Sequence, residues 1–213
     1  MKKLLQSLTS LWKEDPLRYW EKRARKHGVR SVLNLGHSRE EVDAVTEWQK
    51  GILFPMLKAE LVGGEQTLLD FGCGPGRFTG GLAQLLGGQA VGVDPIQHLL
   101  DIAPAAPNTE YRVSRDGRIP LADGSVDVIW CCLVLGGIAE SALPSTVAEF
   151  TRVLKPGGLL FLVENTAEKP DSKHWQFRSL AWYQQLFPDV ALRQLGDYED
   201  LGERISVLAG RKR

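Results

Sequence analysis

The sequence predicts an α/β protein built on a doubly wound sheet, and three observations carry that reading. From residue 64 onward, short apolar runs alternate with amphipathic stretches, the pattern of strands joined by crossover helices. The first run, Thr67 to Phe71, breaks into three alternate glycines, Gly72, Gly74 and Gly76, before a helix can open at Arg77-Phe78-Thr79, the order that begins a nucleotide-binding βαβ unit. The run from Val126 to Leu133 is almost wholly apolar, as parallel strands buried on both faces are.

The elements follow from local signals. Asp15 is a helix N-cap with Pro16 at the first helical position, and Gly28 after Lys26-His27 is a stop, which predicts a helix over about 16 to 27. Ser38-Arg39-Glu40-Glu41 is a capping box, and Val42, Val45, Ile52 and Leu53 recur near helical spacing, so a second helix is expected from about 39 to 60. Val62 to Glu65 turns into strand one, about 66 to 71, and a helix from about 77 to 86 follows. Gly80-Gly81 within it costs about 1 kcal/mol per glycine relative to alanine. That helix therefore either packs unusually close to the sheet or is shorter. Strand two spans about 89 to 93, a short helix about 96 to 102, and strand three about 109 to 113, with Pro104 and Pro107 bounding the connection. After strand four, a helix from about 142 to 154 ends at Lys155-Pro156-Gly157-Gly158, a turn into strand five at about 159 to 163. Ser179 caps a last helix that carries Tyr183, Leu186 and Phe187.

A chain of 213 residues suits one compact domain. Its apolar share of 43% and charged share of 24% are ordinary for a soluble globular protein, and a formal charge of zero asks for neither nucleic acid nor membrane. The total hides nine Lys or Arg against three acids in residues 1 to 30, which make a solvated helix face or a patch for an acidic partner. Three cysteines, two of them adjacent at Cys131-Cys132, give no disulfide framework and fit a reducing cytoplasm. No apolar run approaches the ~20 residues of a membrane span, and Met1 to Leu5 lacks a long apolar leader.

The glycine spacing favours one ligand over another. Dinucleotide sites use G-x-G-x-x-G, whose third glycine falls where this chain has Arg77, and they aim a pyrophosphate at the helix start. Here the pattern is D-x-G-x-G-x-G, with Asp70 two residues ahead of the first glycine. An acid there repels a pyrophosphate but suits an ammonium or sulfonium. Asp94 closes the next apolar run, Ala90 to Val93, eighteen residues after Gly76. Its carboxylate matches a vicinal diol, or it is a turn acid that caps a helix.

These residues resemble motif I and the acidic loop of the class I S-adenosylmethionine-dependent methyltransferases. Pro120 to Asp127 and Arg152-Val153-Leu154-Lys155-Pro156-Gly157-Gly158 are similar to the approaches to strands four and five in the small-molecule, type 11-like branch of that family, so the likeness covers about residues 64 to 165. It implies a Rossmann-like sheet of seven mostly parallel strands with an antiparallel last strand, Leu186 to Leu195 and Arg204 to Ala209 supplying a C-terminal hairpin. It also implies residues 1–62 as a helical cap over the substrate pocket and 63–213 as the core. S-adenosyl-L-methionine would be the cofactor, leaving S-adenosyl-L-homocysteine. Asp70, Gly72, Cys73, Gly74 and Gly76 would take its amino acid part, Asp94 its ribose, Pro95 and Ile96 its adenine, Asp116 and Gly117 the adenine amine, and Cys132 and Leu133 the sulfonium side; no metal is implied. Asp116 stands one residue nearer Pro120 than the family pattern places its acid.

Where many relatives carry a histidine or acid after strand four, this chain has Leu135-Gly136-Gly137-Ile138. A base, needed only if the acceptor must lose a proton, falls to Glu164, just past strand five, or to His37 or His174. Glu164 equally suits a structural hydrogen bond, and each histidine a surface or capping position. Trp175, Phe177 and Arg178, with Tyr183 on the helix after them, suggest a pocket wall for a ring or an anion, although the aromatics equally suit sealing a loop onto the core. The expectation is a cytoplasmic monomer or homodimer that methylates a small molecule, with no membrane or nucleic acid partner. A methyltransferase of RNA or protein, supported only by the basic N-terminus, a non-catalytic cofactor-binding protein and an NAD enzyme are the alternatives. The tetrapeptide [DNS]-P-P-[YFW] of amino-methylating nucleic acid enzymes does not follow strand four.

Overall fold

A computed structural model describes residues 16–213; the Asp15 cap, the Met1 to Leu5 stretch and part of the basic segment lie outside the described residues. Helix α1 spans Pro16–His27 and runs into a 3₁₀ turn, Gly28–Val32, and α2 spans Val42–Glu60. The Ser38 amide donates to Glu41 Oε2 at 2.6 Å, the reciprocal half of the expected capping box, although α2 itself begins after Glu41. Then follow β1 (Thr67–Phe71), α3 (Thr79–Leu86), β2 (Gln89–Asp94), α4 (Gln97–Asp101), β3 (Thr109–Val113), β4 (Val126–Cys132) and α5 (Leu143–Val153). The chain continues with β5 (Leu154–Asn165), α6 (Leu180–Leu186), β6 (Arg193–Asp200) and β7 (Glu203–Arg211).

The sheet has seven strands in the order β3-β2-β1-β4-β5-β7-β6, and β7 runs antiparallel to both its neighbours. From β1 the chain winds outward through β2 and β3, then returns to the other side of β1 with β4. That reversal opens a crevice at the C-terminal ends of the central strands, where open α/β sheets hold ligands. Alternate side chains of the central strands feed two cores. One face puts Leu69, Ile129, Cys131 and Leu162 against Phe150 of α5 and Tyr183 of α6. The other puts Leu68, Trp130, Phe161 and Val207 against Leu53 and Leu57 of α2 and Leu82 of α3, with Trp130 stacked on Phe161 at 5.0 Å. No described helix is long and apolar enough to cross a membrane.

Three further boundaries depart from the sequence reading. Helix α3 is the shorter form, opening at Thr79, and its close packing is against α2 rather than the sheet: a Cβ on Gly81 would lie 2.8 Å from the Phe54 ring. Strand β5 begins at Leu154, so Lys155 to Gly158 lie within it and not in a turn; the lead-in pairs with the chain end, Gly157 N–H donating to Lys212 O and Lys212 N–H to Gly158 O. The strand expected from Leu186 is displaced to Arg193, because α6 runs to Leu186 and Phe187, Val190 and Leu192 bury themselves beneath it as connection rather than as sheet.

Asp127, at the start of β4, ties three strands together. Its carboxylate accepts from the amides of Gln66 and Thr67 at 3.0 Å each and from Lys155 Nζ at 2.6 Å. Asp127→Ala should cost about 1 to 3 kcal/mol, since the two amides lose a charged acceptor. A urea midpoint unchanged at equal slope would show that these contacts contribute nothing.

Candidate functional site

Over the strand ends lies a cavity of about 690 Å³. Its floor is the glycine turn. Gly72, Gly74 and Gly76 all have positive φ (+69°, +54° and +73°), and the turn is pinned to β2 by Val93 O, which accepts from the amides of Gly72 at 2.7 Å and Cys73 at 3.2 Å. The space a Cβ would need is taken by this chain's own side chains: Val134 beside Gly72, Val32 at 2.7 Å from Gly74, and the Tyr111 hydroxyl beside Gly76. Gly72 and Cys73 line the cavity, while Gly74 and Gly76 lie beneath these covers.

Two buried carboxylates stand at the floor. Asp94 accepts from Gly74 N–H through Oδ2 at 2.9 Å and from Ile96 N–H through Oδ1 at 2.8 Å, so it locks the glycine turn to the start of α4. Each oxygen keeps a lone pair, and Asp94 faces the cavity beside Pro95 and Ile96. Burial raises its pKa to about 6, against the pull of those two amides. Asp70 accepts from the Thr79 hydroxyl at 2.7 Å, and burial raises it to about 7. Asp116 and Gly117, both at positive φ, are the centre of a tight turn closed by Arg118 N–H donating to Arg115 O, and they form the exposed rim beyond β3.

Cys132 and Leu133 line the wall at the end of β4. Burial pushes the Cys73, Cys131 and Cys132 thiols up, so none is a thiolate at neutral pH. The remaining walls come from α1 and from the connection after β5. Tyr19 stacks on His174 at 3.6 Å, Trp20 packs over Gly137, Trp175 packs against Gly136, and Phe177 lies nearby on the cavity wall.

Of the three base candidates, only His174 lines the cavity. Glu164 is wholly buried beneath the wall, accepting from the amides of Val134, Leu135 and Gly136 at 3.0, 2.7 and 3.3 Å and from the Tyr183 hydroxyl at 3.4 Å; burial raises its pKa to about 7. His37 stands behind the wall with Nε2 2.6 Å from Asp200 Oδ1, and it is Asp200 that lines the cavity. Arg178 and Tyr183 also lie outside the lining: the guanidinium donates to Leu135 O and Ile138 O and stacks on Trp182. Sequence reasoning did not single out Tyr19, Trp20, Asp200 or Glu203; it named Asn165 beside Glu164 past strand five, and it saw Arg77 only at a helix opening where a dinucleotide site has glycine. Asp200 is 163 positions from its partner His37, a separation that no local pattern reports.

A family described as a methyltransferase domain matches residues 69–162. An uncharacterised methyltransferase of Mycobacterium tuberculosis is 36% identical over 105 residues, 49% of this chain and 42% of that protein. A thiol S-methyltransferase of Homo sapiens is 34% identical over 163 residues, 71% of this chain and 61% of that one. The chain thus spans less than two thirds of these curated relatives. An S-adenosylmethionine-dependent methyltransferase from Aquifex aeolicus superposes with a TM-score of 0.60 at 22% identity, covering 79% of this chain and 97% of that one. A geranyl diphosphate C-methyltransferase from Streptomyces coelicolor gives 0.67 at 16%, covering 94% and 98%. At such identities the likeness is one of fold.

Gly74→Val should release the segment over the turn, because a side chain there meets Val32 and a positive φ costs about 1 to 3 kcal/mol. Hydrogen exchange should rise in residues 28–35 while β1 and β4 stay protected. Unchanged protection of that segment would mean that Val32 does not hold it down.

Proposed function

We propose that this chain, which belongs to the class I S-adenosylmethionine-dependent methyltransferase family, methylates a small molecule held in the cavity over its strand ends. The observation that carries the reading is the pair of buried carboxylates at the cavity floor, Asp70 and Asp94, set around a glycine turn. Their chemistry fits the cofactor: Asp70 suits an ammonium, and the spare lone pairs of Asp94 suit two neighbouring hydroxyls. Pro95, Ile96, Asp116 and Gly117 then flank the adenine, Gly72 and Cys73 the amino acid part, and Cys132 and Leu133 the sulfonium side. When bound, the cofactor supplies an electrophilic methyl group on a positive sulfur.

The chain's own part is to align an acceptor with that methyl and to exclude water. Alignment supplies most of the acceleration in a displacement that is already favourable. Trp20, Trp175 and Phe177 make an acceptor wall suited to an apolar or ring-bearing molecule, and α1 with the loop 166–179 serves as the cap. His174 is the base candidate placed to touch an acceptor that must lose a proton. Glu164, Arg178 and Tyr183 act through the wall they brace. The thiol acceptor named for the human relative and the isoprenoid diphosphate named for the Streptomyces neighbour are both small molecules, which supports the class of acceptor.

Asp94→Ala should weaken S-adenosylhomocysteine binding by about 1 to 3 kcal/mol, the range for hydrogen bonds to a charged group. Calorimetry on folded protein decides this, and equal affinity would remove the ribose assignment. Asp70 adds a pH dependence. Its carboxyl is raised to about 7, and a ligand ammonium favours the ionised form, so a proton must leave on binding at lower pH. Affinity should fall as pH drops through about 7, by up to about tenfold per unit below it, and the profile should flatten in Asp70→Asn. A flat wild-type profile between pH 6 and 8 would place the ammonium elsewhere.

A further inference from the structure

Arg77 is a cavity-lining cation whose hydrogen-bond partners among the described residues are neutral. Its Nε donates to Thr46 Oγ1 at 2.9 Å, its Nη2 donates to Gln49 Oε1, and its Nη1 has no hydrogen-bond partner among the described residues. No carboxylate among the described residues forms an ion pair with it. The acids near it are engaged elsewhere: Asp70 with Thr79 and Asp200 with His37. Burial works against its charge, which favours any arrangement that brings an anion to it.

The position of Arg77 says which ligand it meets. Gln49, on α2, accepts from Arg77 through Oε1 and donates from Nε2 to the Tyr198 hydroxyl at 3.4 Å, so Gln49 links the guanidinium to β6, where Tyr198 and Asp200 act on its charge. The Asp94 and Asp116 end of the cavity proposed for the cofactor lies over β2 and β3, on the far side of β1, while Asp70 and Cys132 also stand near the guanidinium. We propose that Arg77 binds a carboxylate or phosphate group carried by the methyl acceptor, an assignment that rests on the methyltransferase reading above. Thr46 and Gln49 hold one edge of the fork in place. The end-on edge left open, one N–H of Nη1 beside the second N–H of Nη2, matches two oxygens of an anion. Arg178, whose donors go to the carbonyls of Leu135 and Ile138, has no such edge facing the cavity.

The test uses the full chain with S-adenosylhomocysteine bound. It is titrated with 4-hydroxybenzoate, phenyl phosphate and the uncharged 4-hydroxybenzamide, in parallel with Arg77→Gln. An anion should bind at least tenfold more tightly than the amide, and whichever of the two anions binds better identifies the group. Arg77→Gln should abolish that preference and leave S-adenosylhomocysteine affinity within twofold. In wild-type protein labelled with nitrogen-15, the Arg77 guanidinium resonance should move on adding the anion and not on adding the amide, a readout that does not depend on a variant folding. The proposal is overturned if no anion is preferred, if Arg77→Gln keeps the preference, if the resonance stays still, or if the variant loses tenfold in cofactor affinity, which would give the guanidinium to the cofactor. Failure of the wild-type protein to bind S-adenosylhomocysteine at all would sink the methyltransferase reading and the acceptor assignment with it, a result distinct from intact cofactor binding without anion preference.

Discussion

The cavity exists because Glu164 holds three successive amides, those of Val134, Leu135 and Gly136, at the end of β5. A charged acceptor buried among backbone donors is worth more than the same contact in water, and leaving any one of its partners unmet is correspondingly expensive. This contact fixes the turn after β4, and several parts of the wall lean on that turn. Val134 fills the space beside Gly72, Trp20 crosses Gly137, Trp175 covers Gly136, and Gln176 N–H donates to Gly136 O. Arg178 takes the carbonyls of Leu135 and Ile138 from the other side. The carboxylate that the sequence offered as a catalytic base thus has a complete structural role, with both oxygens occupied.

The same economy governs the glycine turn. A bound molecule is the usual reason for glycine in such a place, yet each of the three glycines here already faces a side chain of the protein. The backbone dihedrals and these covers both demand glycine before any ligand arrives. Asp94 has two duties in the same way, since it bridges the turn to α4 while presenting its remaining lone pairs to the cavity.

Much of the fold was legible in the sequence because it rests on local signals: alternation of apolar runs, Pro16 at a helix start, Ser179 as a cap that accepts from Trp182 N–H, and the glycines after β1. Boundaries failed where tertiary pairing overrode them, as when the chain end drew Lys155 to Gly158 into β5. The floor of the candidate site was legible too, because Asp70 is one residue from the end of β1 and Asp94 closes β2. Its walls were not. The apposition of Tyr19 with His174, or of His37 with Asp200, joins segments far apart in the chain, and the number of spare donors on an arginine is decided by what surrounds it. Sequence pointed to Arg178 for an anion because it stands in a loop among aromatics; the structure spends that guanidinium on carbonyls and leaves open donors on Arg77.

The placement of β7 has a consequence for how the sheet is made. It is the last of the seven strands in chain order, yet it lies inside the sheet, antiparallel between β5 and β6. During synthesis β5 therefore presents a bare edge, rich in Leu, Phe and Val, until residues 203–211 have left the ribosome, and β6 has no neighbour to pair with in the meantime. A nascent or clipped chain lacking that strand would be exposed to edge-to-edge association, a hazard that the finished molecule hides by covering its most adhesive strand last.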